Sequence, residues 1–228
     1  MRKTLGFLAV TTCLFAAPSE KERMQAAERL ADANTVFSEI MNAGDRGIPR
    51  DLVERAQCAV IVPGLKKGAF IVGGQYGKGF ITCRNETNRG WSAPAAIRME
   101  GGSFGFQIGG SETDVVMLVM NRGGEDKLMS SQFTLGGEGE IAAGPVGRSA
   151  TAETDAKLSA EILSWSRSRG VFGGLALKGS TLRADTSEND ALYGKPLNTK
   201  EVVMGSVAPT QEGRALISTL SAAGPEKH

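Results

Sequence analysis

The chain has 228 residues, with 26 lysines and arginines against 25 aspartates and glutamates and a formal net charge of +1. So balanced a chain has no global field to draw it onto nucleic acid, and contact with an anionic surface must come from a local patch. Its one histidine is the terminal His228, which removes the usual base of a Ser-His-Asp or Cys-His site and the usual ligands of a zinc centre.

In chain order, a positive pair, Arg2-Lys3, precedes an uncharged and mostly apolar run from Leu5 to Ala17. That run is shorter than the roughly 20 apolar residues a spanning helix needs. It fits the h-region of a secretory signal peptide, and the small residues Ala17-Pro18-Ser19 fit its cleavage site. Residues 1–19 therefore read as a leader, with Glu20 as the new N-terminus and a periplasmic or secreted destination. A retained N-terminal anchor is the alternative. Cys13 raises lipidation, although Val10-Thr11-Thr12 lacks the small residue expected beside a lipidated cysteine. Losing Arg2 and Lys3 takes the net charge to −1. Residues 20–228 suit one domain with a sizeable core.

Glu20 to Met41 reads as a helix, with Met24, Ala27, Ala31, Phe37, Ile40 and Met41 at helical spacing. Ser19-x-x-Glu22 fits a capping box. Gly44, Gly47 and Pro49 break the helix, and a short second helix runs to about Gln57. The period then changes to two. Cys58 to Val62 reads as a buried strand ending at Pro63-Gly64. Ala69 to Gly73 and Gly79 to Arg84 flank a glycine-rich turn, Gly74 to Lys78. Further strands are expected in Ala95–Ile108, Val115–Met120, Phe133–Ala143, Ser159–Ser166 and Val171–Leu182, with a helical turn or two in Glu125–Ser130. Helical patterns return in Glu188–Tyr193, Lys200–Gly205 and Gln211–Ala222. This is an α+β fold: an antiparallel, glycine-rich, strongly curved or partly closed β-sheet between N-terminal and C-terminal helices. The absence of strands alternating with long helices argues against a doubly wound parallel sheet.

The search for chemistry is largely negative. Gly74-x-x-Gly77-x-Gly79 has the spacing of a phosphate loop, but a strand rather than a helix N-terminus follows, so it reads as a hairpin corner. Glu112 and Asp114 are close in sequence, without a second carboxylate pair at useful spacing. No cofactor and no metal site is implied, and the chain reads as a binding protein rather than an enzyme. Cys58 and Cys83 would be free to form a disulfide in an oxidising compartment; the alternative for Cys58 is a small buried apolar residue. The candidate ligand-binding cations are Lys66 and Lys67 after Pro63-Gly64, Lys78 in the next turn, and Arg167 and Arg169 bracketing a third. If these corners converge at one end of the sheet, they could receive phosphate headgroups; the alternative is that each solvates its turn. Trp91 and Trp165 are candidate interfacial anchors or core aromatics.

A series of blocks resembles the SYLF domain family. It opens with Ile61-Val62-Pro63-Gly64-Leu65-Lys66-Lys67-Gly68-Ala69-Phe70-Ile71-Val72-Gly73-Gly74-Gln75-Tyr76-Gly77-Lys78-Gly79. Gly90-Trp91-Ser92-Ala93-Pro94, Gly101 to Gly109, Asp114 to Asn121, Ala143 to Arg148, Ser166 to Gly170 and Ala191-Leu192-Tyr193-Gly194 follow in the same order. The match covers about residues 20–194, leaving 195–228 as a helical C-terminal extension. The resemblance implies an exported bacterial-type member of a family with phosphoinositide-binding members and, in fungi, actin-binding ones. It therefore implies a non-catalytic lipid- or membrane-binding module whose partner is anionic phospholipid. One departure is the first helix. Lys21, Arg23 and Arg29 stand against Glu20, Glu22, Glu28, Asp32 and Glu39, a balance unsuited to an anionic surface. Export argues against cytoplasmic actin as the partner. Two other readings stand beside the leading one: a cell-envelope structural or interaction domain without a small ligand, and a hydrolase with an unrecognised acid pair.

Overall fold

The structure, a computed structural model, describes residues 17–69, 73–85, 90–103, 111–130, 132–145, 160–168, 171–174 and 177–224. Residues 1–16, with Cys13 and most of the apolar run read as a leader, and Arg169 lie outside the described residues.

Helix α1 spans Glu20–Met41 and starts where the capping pattern directs. The Ser19 hydroxyl accepts from the Glu22 N–H, and the Glu22 carboxylate accepts from the Ser19 N–H at 2.8 Å. Its buried stripe is Ala26, Leu30, Ala33, Val36, Phe37 and Ile40. This corrects the face expected from sequence, because Met24 is 60% exposed and Ala31 is exposed as well. The stripe packs on the sheet and on the last helix in one core cluster. Burying a side chain such as Leu30, Phe37 or Ile40 contributes about 1.5–3 kcal/mol. After a 3-10 turn at Gly44–Arg46, α2 spans Arg50–Arg55.

One nine-stranded sheet forms the centre. Its strands are β1 Cys58–Ala69, β2 Gly73–Cys83, β3 Ala95–Ser103, β4 Ser111–Val119, β5 Gln132–Thr134, β6 Ile141–Ala143, β7 Ile162–Ser168, β8 Val171–Gly174 and β9 Ser180–Ala184. Helix α3, Arg122–Leu128, lies between β4 and β5. The order is β5-β9-β3-β2-β1-β4-β7-β6, with β8 paired to β7. Every pairing is antiparallel except β6 with β7. Three helices close the chain: α4 Thr186–Tyr193, α5 Thr199–Val203 and α6 Gln211–Ala223.

The chain itself shows that the sheet curls. Strands β5 and β6 are opposite edges, yet only residues 135–140 join them, with a bridge between Leu135 and Gly139. The seven Cα steps from Thr134 to Ile141 reach at most roughly 25 Å, whereas the edges of a flat eight-strand path would stand about 34 Å apart. The half-barrel so formed buries both faces of its central strands. In β1, Ala59 and Ile61 face the helical layer, while Cys58, Val60 and Val62 join the second cluster with Phe133, Leu135 and Ile141 from the two edges and Ile162 from β7.

Two expectations about β1 and β2 are corrected. Strand β1 does not stop at Pro63-Gly64. Its register shifts between Val62 and Leu65 against β4, and Gly64 takes φ +58°, so the pair forms a bulge and pairing resumes. Nor are Gly74 to Lys78 a turn; they lie inside β2, and the reversal falls between Ala69 and Gly73. The glycines serve close approach instead. A Cβ on Gly79 would sit 2.2 Å from the Ile61 carbonyl oxygen, and one on Gly77 would sit 2.9 Å from Val62 Cγ1. Shorter corrections follow the same logic. The expected strand 133–143 is interrupted by a turn at 136–138, and the strand expected over 171–182 resolves into β8 and β9.

Candidate functional site

A cleft of about 770 Å³ opens where α1 passes over the bulged end of β1 and its neighbours β2, β4 and β7. Helix α1 contributes Arg29 and Asp32, the bulge contributes Gly64 and Lys66, and β2 contributes Tyr76 and Lys78. Glu112, Asp114 and Arg167 close the far wall. Sheet register explains the convergence. Lys66 lies opposite both Tyr76 and Glu112, and Asp114 lies opposite Arg167. The β1–β2, β3–β4 and β7–β8 connections all leave the sheet at this same end.

Lys66, Lys78 and Arg167 therefore share one cleft, but their surroundings differ. Lys78 is half-buried in β2, and its Nζ lies 2.8 Å from Asp185 Oδ2 and 2.7 Å from Glu188 Oε2. Asp185 caps α4, accepting from the Glu188 N–H, and Arg29 of α1 pairs with the same Glu188. Burial opposes the Lys78 charge, yet the two carboxylates outweigh it and hold its pKa above the ordinary lysine value. Burial likewise opposes the Asp185 carboxylate, and Lys78, Ser187 and the Glu188 N–H together hold its pKa below the ordinary value. Lys78 thus fastens α4 to the sheet, and Arg29 ties α1 to the same network.

Arg167 is also engaged. Its Nε donates to Asp114 Oδ2 at 2.7 Å, and its guanidinium pairs with Glu39 of α1. Asp114 Oδ1 accepts from the Gly64 N–H at 2.9 Å, so this carboxylate pins the bulge. Burial pushes its pKa up against that hydrogen bond, and Glu112 and Asp32 add to the rise. A general acid needs a free proton-bearing oxygen within reach of substrate. Both Asp114 oxygens are committed to structural partners, which argues against the acid-pair reading.

Lys66 and Lys67 stand apart. Lys66 is exposed and Lys67 half-buried, and neither side chain makes a hydrogen bond or ion pair with any described residue. Successive residues of a strand point to opposite faces, and Lys66 alone of the two lines the cleft. Tyr76, 48% exposed, sits directly across from it. Sequence reasoning found the cations but missed Arg29, Asp185 and Glu188. Those partners lie far away along the chain, and only the fold of α1 and α4 onto β2 brings them close.

The tryptophans belong to the core. Trp165 is fully buried and donates from Nε1 to the Pro145 carbonyl at 2.9 Å; Trp91 is 7% exposed and stacks under Arg84, 4.5 Å from its ring centroid. Arg84 in turn donates to carbonyls of Val53, Ala56 and Gly224, tying α2 and the end of α6 to the sheet. Cys58 and Cys83 are directly opposed on β1 and β2, Cα atoms 3.9 Å apart, and are joined by a disulfide. Among the described residues, no helix is long and apolar enough to cross a membrane.

The Ysc84 family, described as Las17-binding protein actin regulator, matches residues 100–223. This chain belongs to that family. It is 34% identical over 199 residues to LAS seventeen-binding protein 3 of Saccharomyces cerevisiae, covering 83% of this chain and 41% of the relative. It is 30% identical over 203 residues to SH3 domain-containing YSC84-like protein 1 of Xenopus laevis, covering 88% and 59%. Protein YSC84 of Saccharomyces cerevisiae is 34% identical over 169 residues, covering 72% and 35%. The chain thus spans between about a third and three-fifths of these relatives. The family is one of binding and regulatory domains, and this chain folds as the α+β half-barrel described above.

Proposed function

We propose that this chain is an exported, non-catalytic module that docks on anionic phospholipid surfaces through the bulged end of its sheet, with Lys66 as the leading contact and Lys67 beside it. The observation that carries this reading is the unpaired Lys66 ammonium at a cleft mouth where Lys78 and Arg167 are matched by carboxylates. An exposed tyrosine across the strand suits a water–membrane boundary. Each lysine near an anionic surface contributes about 1 kcal/mol, so binding should be weak and should fall as salt screens it over about 8 Å. Lys78 and Arg167 serve the fold in this reading, and Arg169 lies outside the described residues. Helix α1 is a poor membrane element, because Leu30, Phe37 and Ile40 are already fully buried.

Export to the periplasm or beyond rests on the leader pattern. The Ser19–Glu22 capping box favours a cut that leaves Ser19 on the mature chain, N-terminal to the Glu20 start expected from the small-residue site. Co-sedimentation with anionic and neutral vesicles tests the membrane reading. Wild-type protein should pellet with anionic vesicles only, and a folded Lys66→Glu/Lys67→Glu variant should not. A folded variant with undiminished affinity would refute it.

The names of the relatives favour a second reading, a protein-interaction domain. Its partner would be a Las17-type protein or actin if the chain meets them, since the argument against actin rests on export alone. Vesicle binding that is absent at low salt would turn the assignment to this reading.

A further inference from the structure

The disulfide has a third neighbour. Glu125, on α3, places a carboxylate oxygen so that it and the Sγ atoms of Cys58 and Cys83 all lie within 4.8 Å of one another. Both cysteines are fully buried and Glu125 is 7% exposed. Among the described residues its carboxylate makes no hydrogen bond or ion pair. Burial raises its pKa, the charge of Arg122 opposes that rise and Asp126 adds to it, and the carboxylate lies against two sulfur atoms that belong to an apolar cluster with Val60, Ile81 and Leu128.

We propose that in the reduced chain Cys58, Cys83 and Glu125 form a three-donor site for a borderline-soft divalent cation of the zinc class, and that the disulfide is the closed, metal-free form of the same site. Two thiolates and a carboxylate are a donor set that zinc accepts, at about 2.3 Å from sulfur and 2.0–2.2 Å from oxygen. Donors bound at those distances lie roughly 3.5–3.8 Å apart, within reach of the present arrangement by side-chain rotation. The geometry is set by two rigid features: direct opposition of the cysteines in the β1–β2 register, and the cap of α3 on Asn121, whose side chain accepts from the Gly124 N–H at 2.8 Å. Opening the site takes two electrons and two protons: two thiols supply both and leave as their disulfide, whereas a phosphine supplies the electrons, water supplies the two protons and the oxygen, and the phosphine leaves as its oxide. Each thiol then releases its proton as the cation binds, and a fourth position remains for water.

The test uses the full chain reduced with a phosphine under anaerobic conditions, with Co²⁺ as the spectroscopic probe. One equivalent should bind with thiolate-to-cobalt charge-transfer absorption, and Zn²⁺ should displace it. The oxidised chain should show no such band. Glu125→Gln, shown by circular dichroism to fold when oxidised, should bind about tenfold or more weakly while keeping the thiolate band; Cys58→Ser/Cys83→Ser should lose it. Zn²⁺ should also raise the Tm of the reduced wild type. Absence of the charge-transfer band, equal affinity in Glu125→Gln, or a reduced chain whose Tm ignores Zn²⁺ would each overturn the proposal.

Discussion

Lys66 and Lys78 line the same cleft from neighbouring strands, and their surroundings make them different kinds of residue. Lys78 has two carboxylates within 2.8 Å, and their side chains are only 2% and 4% exposed. Lys66 lies opposite Glu112 in β4, yet forms no ion pair with it. The first charge is consumed in holding α4 to the sheet; the second remains for a partner. A cluster of cations is therefore not a binding surface until its carboxylates have been counted, and here that count removes Lys78 and Arg167.

The largest expected effect tests the structural side of the contrast. Lys78→Ala leaves Asp185 buried without its cation and Glu188 with Arg29 alone, which costs about 3 kcal/mol, the lower end for a broken buried pair because Lys78 is itself 29% exposed and Glu188 keeps one partner. Lys66→Ala should stay within about 0.5 kcal/mol of wild type. Urea titration of both variants checks this, and similar losses would erase the distinction.

Next comes the binding side. Lys66→Ala/Lys67→Ala should weaken binding to anionic vesicles by about 2 kcal/mol, close to thirtyfold, without moving the urea midpoint. Because Lys66 lines the cleft and Lys67 does not, the single variants apportion the effect. A loss carried wholly by Lys67 would move the contact to the other face of β1.

The pH dependence sharpens the comparison further. Asp185 has a folded pKa below its unfolded value of about 3.9. Its contribution is thus fully present above the unfolded pKa and is lost as pH falls through the folded one. Lys78 has a raised pKa, so its contribution holds through neutral pH and is lost only as pH rises through that folded value. Asp185→Asn should flatten the acid limb of the stability–pH curve. Asp114 has the opposite sign: its raised folded pKa makes stability fall as pH rises from the unfolded value through the folded one, so Asp114→Asn should flatten that separate slope. Thermal melts across the acid range measure both.

The smallest effect is at Glu39. Its side chain is 47% exposed, so Glu39→Gln should cost under about 1 kcal/mol although it pairs with Arg167. A larger loss would mean that α1 depends on this contact more than its buried stripe implies.

How much was legible follows from the range of each signal. The capping box of α1, its span, the short helix after Pro49 and the closing helices are local patterns, and they appear in the structure within a few residues. The buried face of α1 was misjudged because Ala27 and Ala31 resemble core residues, while the fold turns Ala26, Leu30 and Ala33 inward. The glycines of β2 were mistaken for a turn because a glycine required by a hairpin and one required by a crossing backbone look alike in sequence; the Ile61 carbonyl 2.2 Å from a Cβ on Gly79 distinguishes them. A zinc-class site was set aside for want of histidine, since nothing in the spacing of Cys58, Cys83 and Glu125 predicts that their donor atoms meet.

By itself the sequence determined most element types and the α+β class with a curved sheet, because helical and strand periods and caps are written within a few turns of chain. Tertiary structure alone decided the bulge at Pro63-Gly64, the carboxylates beside Lys78 and Arg167, and the convergence of Glu125 on the two cysteines. These depend on strand register and on elements arriving from about forty to more than a hundred residues away, where the free energy of pairing is shared among many contacts and no local pattern records the outcome.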